Sequence, residues 1–147
     1  MKNVKQLLLG LILLNFTGIA QNGYVEWNVG IANIEDEFFQ GFFPGTSVLI
    51  GTRLNFPKNL LLDVEAGVAF PSIVTAKLGI GSYLNKGNNS ACVVGIRPFP
   101  LHGYAQINFP ETRIGQWIIS GELGDESENS LYSRAILNFG YRWKLKR

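Results

Sequence analysis

Beyond residue 20, apolar side chains recur at every second position through most of the chain, the period that gathers them on one face of a pleated strand. Val25, Trp27, Val29 and Ile31 alternate with Glu26, Asn28, Gly30 and Ala32, and a second run sets Val48, Ile50, Thr52, Leu54 and Phe56 against Ser47, Leu49, Gly51, Arg53 and Asn55. In the third, Leu60, Leu62, Val64, Ala66, Val68 and Phe70 oppose Leu61, Asp63, Glu65, Gly67 and Ala69. The fourth covers 73 to 84, with Val74, Ala76, Leu78, Ile80 and Leu84 facing away from Thr75, Lys77, Gly79, Gly81 and Tyr83. The fifth is shorter, with Cys92, Val94 and Ile96 against Val93, Gly95 and Arg97. Ala105, Ile107 and Phe109 mark the sixth against Tyr104, Gln106 and Asn108; Trp117, Ile119 and Leu123 mark the seventh against Gln116, Ser120 and Glu122. The last and longest places Ala135, Leu137, Phe139, Tyr141, Trp143 and Leu145 opposite Arg134, Asn138, Gly140, Arg142 and Lys144.

Between these runs lie Asn33 to Gly45, Pro57-Lys58-Asn59, Pro71-Ser72, Asn85 to Asn89, Pro98 to Gly103, Pro110 to Arg113 and Gly124 to Ser130. Most are turn compositions, in which proline fixes φ and removes a donor while glycine and asparagine accept left-handed backbone. Helical periodicity is absent from this part of the chain. Short strands at regular spacing predict an all-β fold, an eight-stranded antiparallel up-and-down β-barrel or a sandwich.

Alternation does not say which face points inward. Three features predict that the apolar face points outward into lipid, in a transmembrane barrel. The polar face is rich in glycine, which weakens an exposed strand face but suits a crowded interior. Its charges nearly balance, Glu26, Asp63, Glu65 and Glu122 against Arg53, Lys77, Arg97, Arg134 and Arg142. Buried charges persist only when paired, so these nine residues predict an ion network across the lumen. Aromatic residues of the apolar face, Trp27, Phe56, Phe70, Phe109, Trp117, Tyr141 and Trp143, fall towards strand ends, where amphipathic rings meet the two bilayer interfaces.

The first residues read Met-Lys-Asn-Val-Lys, then an apolar run from Leu7 to Phe16, then Thr17-Gly18-Ile19-Ala20. That order predicts a secretory signal peptide over 1–20, cleaved after Ala20, and a barrel domain over 21–147. The apolar run is too short to cross a bilayer as a helix, which takes about 20 residues. The 147 residues hold 13 Lys plus Arg and 11 Asp plus Glu. Without Lys2 and Lys5 the balance is 11 against 11, so no nucleic-acid partner is expected. Cys92 is the only cysteine, which excludes an internal disulfide, and it does not stand at the end of the signal where a lipid-anchored protein would need it.

The signal, the eight alternating segments and the final run Leu137-Asn138-Phe139-Gly140-Tyr141-Arg142-Trp143 resemble the small outer-membrane β-barrel families of the OmpA and OmpX type, over essentially the whole mature chain. The resemblance implies a bacterial outer-membrane location and assembly by the barrel-insertion machinery. It also makes Trp143 the counterpart of the terminal aromatic, although here Lys144-Leu145-Lys146-Arg147 follow it. It places both termini in the periplasm and the odd-numbered connections outside.

On that arrangement Asn33 to Gly45 is the first outer loop, combining Glu35, Asp36 and Glu37 with Phe38, Phe39, Phe42 and Phe43. An aromatic cluster rimmed by charge is a candidate contact surface, though the same rings could cap the barrel mouth. Asp125, Glu126 and Glu128 are scattered acids of a solvated hairpin tip. His102 is the sole histidine and falls in an expected outer loop, without the neighbouring serine of lipid-modifying barrel enzymes. Gly79-Ile80-Gly81 opens no helix and is no phosphate loop. No catalytic residue, cofactor or metal site is expected.

An eight-stranded barrel is filled by its own side chains, which argues against a general porin. The expectation is a monomeric, non-enzymatic envelope protein in contact with outer-membrane lipid, acting structurally or through its outer loops. The alternatives are an enzyme acting on envelope lipid, a narrow channel, and a soluble periplasmic lipocalin-like ligand-binding barrel.

Overall fold

A computed structural model describes residues 22–35, 40–98, 101–124 and 133–145. The expected signal peptide, Phe38, Phe39 and the acids at 125–128 lie outside the described residues. Eight strands follow one another as β1 (Gly23–Glu35), β2 (Gln40–Asn55), β3 (Leu60–Phe70), β4 (Ile73–Asn85), β5 (Ser90–Pro98), β6 (Leu101–Asn108), β7 (Gly115–Gly124) and β8 (Ser133–Lys144). Each pairs antiparallel with its sequence neighbour, and β8 closes on β1 through Trp27 opposite Tyr141 and Val29 opposite Phe139. The fold is a closed up-and-down barrel, and closure leaves no sheet edge around its circumference.

Turn chemistry fixes the connections at the barrel end where β1 begins and β8 finishes, called below the end with the termini. Lys58 and Asn59 take left-handed backbone, φ 59° and 63°, between Phe56 and Leu60, whose N–H···O bond is 2.9 Å. Two such residues twist the chain in the sense that the flanking strands need. After β4, Asn85 accepts a hydrogen bond from the Gly87 N–H at 2.9 Å and caps a 3-10 turn over Lys86–Asn88.

Two expected loops prove to be strand. β1 runs to Glu35 and β2 starts at Gln40, and the ladder extends through Asn33 opposite Phe42 and Ala32 opposite Phe43. Asn33 to Gly45 is therefore mostly a long hairpin, because Phe42 and Phe43 supply strand-favouring side chains across from β1. Pro98 to Gly103 likewise gives up its ends to strand, since Leu101 pairs with Pro98 and His102 with Arg97.

The polarity of the wall is inverted relative to a soluble barrel. Glu26, Asp63, Glu65, Lys77 and Arg142 are buried, while Ile50, Val68, Ile80 and Leu137 are each at least 60% exposed. Interior side chains also include Leu49, Leu61, Val93 and Ile118, so the filling is part ionic and part apolar. Leu61, Tyr83, Ala91, Val93 and Tyr104 pack together on the β3–β6 side.

Candidate functional site

The strand period directs Glu26 and Asn28 of β1, Arg53 of β2, Asp63 and Glu65 of β3 and Arg142 of β8 into one region of the interior. Arg53 grips Asp63 with both prongs of its guanidinium, Nε to Oδ1 at 2.7 Å and Nη2 to Oδ2 at 2.6 Å. Arg142 reaches three carboxylates: Glu26 at 2.6 Å, Glu65 at 2.6 Å and Asp63 at 3.1 Å. Its neighbours Tyr24 and Asn28 donate to Glu65 at 2.8 Å and to Glu26 at 2.9 Å. Forked, charge-assisted contacts of this kind are what allow ions to remain away from water.

A second group lies across the interior. Glu122 of β7 accepts from Arg97 of β5 at 2.8 Å and pairs with Lys77 of β4 at 3.2 Å. Asn138 of β8 donates to the same carboxylate at 2.9 Å, and Arg97 also donates to Thr75 at 2.7 Å. The first group holds two cations and three anions, the second two cations and one anion. Each therefore carries the charge that compensates the other, and the interior sums to zero over these eight residues.

The ninth residue expected in this network, Arg134, is not among these eight. It is exposed near the start of β8, where the ladder to β1 shifts register between Asn33 and Ile34. His102 differs in the opposite direction: expected in an exposed loop, it is 1% exposed and points into the barrel from β6. Its ring lies against Gly124, directly opposite on β7, where an added Cβ would approach Cδ2 to 2.4 Å. Alternation of Leu101, His102, Gly103 and Tyr104 carries that signal in the sequence. Prolines at 98 and 100 disguise it as a turn.

On the outer wall, Trp27, Phe56, Phe70, Phe109, Trp117 and Trp143 are exposed and Tyr141 is half-buried among its neighbours. All but Phe70 lie towards the end with the termini. Trp117 stacks on Phe139 at 4.9 Å and meets Tyr141 edge-on at 4.8 Å, and Tyr141 meets Trp143 at 5.0 Å. Trp27 donates its indole N–H to Thr46 at 3.0 Å.

At the opposite end β2 begins six residues before its first β3 partner, the pair Thr46 and Phe70. This extension carries two of the expected loop contacts, Phe42 and Phe43, which belong to strand β2 instead. Phe42 is 82% exposed, while Phe43 laps the Phe70 ring at 5.8 Å. Pro44 sits in the same stretch, and a residue without an N–H is tolerated on an unpaired strand margin.

Fold and interior together define a small closed eight-stranded β-barrel with an ionic, self-filled lumen and an apolar outer wall. No family model, curated protein or solved structure matches the chain.

Proposed function

We propose that the protein is an integral outer-membrane β-barrel of the OmpA and OmpX type, non-enzymatic, that anchors a surface-exposed hairpin for contact at the cell exterior. The observation that carries this reading is the inverted polarity: eight paired ionic side chains are buried inside a wall whose large apolar residues face out. A water-soluble protein rarely exposes a continuous apolar patch beyond a few hundred Å². A band that encircles the barrel is stable where acyl chains replace water.

The alternatives fare less well on the same interior. A lipocalin-like carrier needs an open apolar cavity, yet ion pairs centred on Arg142 and on Glu122 fill much of this interior. An envelope-lipid enzyme built on His102 needs that imidazole at a lipid-accessible face, whereas it is enclosed between β5 and β7. The contact role rests on the β1–β2 hairpin, which presents Phe42 beyond the neighbouring strand.

Fractionation of cells that express the tagged protein tests the reading. The protein is expected in the outer-membrane fraction, soluble only in detergent, and running faster on gels unheated than boiled. Recovery from the periplasm without detergent would overturn it.

A further inference from the structure

Three neighbouring strands, β7, β8 and β1, carry a groove of about 890 Å³ on the outer wall, and its side chains follow a definite order. Val29 and Phe139, paired across β1 and β8, lie towards the middle of the wall. Trp27 and Trp117 flank β8 one step nearer the end with the termini, and Trp143 lies beyond them. These three are the only tryptophans of the chain. The β6–β7 turn then closes the groove with Arg113.

Turn geometry explains why Arg113 stands there. Thr112 directs both its N–H and its hydroxyl to the Gly115 carbonyl, at 2.8 and 2.7 Å, which leaves Arg113 and Ile114 as the two residues of a tight loop. Both are exposed, and the Tyr141 hydroxyl, 3.4 Å from that of Thr112, links the turn to β8. Glu111, the one acid among the described residues of this end, is already held by Lys144 at 2.6 Å and by the Asn89 amide. Lys58 and Lys86 add two more cations to the same end, so its rim is basic.

We propose that this groove seats one phospholipid, with an acyl chain along Val29 and Phe139 and the headgroup phosphate on Arg113. The inference rests on the membrane reading above and adds a specific lipid to it. The order from apolar mid-wall through indole rings to a cation is the order of chain, glycerol region and phosphate along a lipid. A guanidinium binds phosphate through two parallel hydrogen bonds, and a basic rim attracts the same headgroup. A second copy of the barrel fits less well. Glu26, Asp63, Glu65 and Glu122 are all buried, so the apolar band of a neighbour brings none of these carboxylates to Arg113.

The test uses the folded barrel in micelles of an uncharged sugar detergent, which offers no phosphate of its own. Tryptophan emission reads the groove directly, because all three indoles line it. Phosphatidylglycerol with brominated chains should quench that emission saturably. It should do so at a concentration roughly tenfold lower than diacylglycerol with the same chains, the scale of one hydrogen bond to a charged group. Arg113→Gln should weaken the phospholipid to the diacylglycerol level. Lys86→Gln, which removes an equal charge from the same end away from the groove, should leave the difference intact. Equal quenching by the two lipids, an undiminished preference in Arg113→Gln, or an equal loss in Lys86→Gln would each overturn the proposal. So would a concentration-dependent dimer, seen by sedimentation, that Arg113→Gln abolishes, since it would give the groove to a second copy. The heat-dependent gel shift separates the site from the reading beneath it. A barrel that keeps the shift without a lipid preference has a membrane wall and no site, and one that lacks the shift loses both. The comparison of the two lipids needs no variant and decides the matter even if a substitution disturbs folding.

Discussion

The Arg142 guanidinium stands 3.7 Å from the centre of the Tyr24 ring, and the two side chains converge on one oxygen of Glu65, Nη2 at 2.6 Å and the phenol at 2.8 Å. Tyr24 is near the first residue of the barrel and Arg142 near the last, so this contact fastens the two ends of the sheet where β1 meets β8. Closure is thus supported from inside by a cation that serves three carboxylates from two other strands.

Arg142→Met follows as the most damaging single change in the interior. Removal of one partner leaves Glu26, Glu65 and part of Asp63 uncompensated, and breaking a buried ion cluster in this way costs about 3–5 kcal/mol. Urea unfolding in lipid vesicles, read by tryptophan fluorescence, should show that loss. Arg142→Lys should recover less than half of it, since a single ammonium lacks the fork that reaches three acceptors at once. Equal stability of Lys and Arg here would mean that the geometry of the fork is immaterial.

Gly51 illustrates how the large interior side chains fit. It lies directly opposite Tyr24 on β2, and a Cβ there would come within 2.6 Å of the phenol ring. Gly51→Ala should therefore cost about 1–3 kcal/mol through overpacking. Gly121→Ala is the contrast: its outward Cβ meets nothing within 4 Å, and the change should stay within about 0.5 kcal/mol. The same unfolding measurement compares the two. Similar costs at both sites would show that crowding inside the barrel is not what keeps Gly51 small.

The strand period was legible because one face of each strand is nearly pure, and Glu26, Asp63, Glu65 and Arg142 each fall on the opposite parity from Trp27, Leu62 and Phe139. Eight strands in sequential order follow from that period and from the turn residues. What the sequence obscured lies where local composition and long-range pairing disagree. Prolines flank Phe99 and suggest a loop, yet the pairing of Arg97 with His102 carries β6 outward past Gly103. Glu35 and Gln40 belong to a polar, aromatic stretch that reads as a loop, yet their pairing extends the first hairpin. Arg134 has the right parity for the lumen but is exposed at the start of β8, and position along the barrel axis depends on register, which alternation does not encode. The two-group division of the ion network was equally hidden, since it depends on which strands face each other across the closed barrel.

Depth along the wall makes the membrane reading measurable. Val29 lies midway along β1, opposite Phe139 and about half exposed, while Val25 lies near the end with the termini, opposite Trp143. Val29→Arg should cost about 2–4 kcal/mol in vesicles, and Val25→Arg about 0–1 kcal/mol, because an arginine near the interface reaches water with its head group. Comparable small effects at both positions would be the behaviour of a wall that faces water.

Sidedness gives the last test, and it bears directly on the proposed contact surface. An even number of strands returns the chain to the side from which it started, so the β2–β3 turn at Lys58 shares a side with both termini and the β1–β2 hairpin lies on the other. Phe42→Cys in a Cys92→Ser background places one thiol at a residue that is 82% exposed at the hairpin. Lys58→Cys in the same background places it at the opposite end. In intact cells a membrane-impermeant maleimide should label the first variant and not the second, and permeabilising the outer membrane should bring the second to the same level. Because neither side chain takes part in the interior network, both variants should keep the heat-dependent gel shift, which separates a failure to label from a failure to fold. Labelling of Lys58→Cys alone in intact cells would invert the barrel and move the hairpin, and any contact made by its aromatic residues, to the periplasmic side.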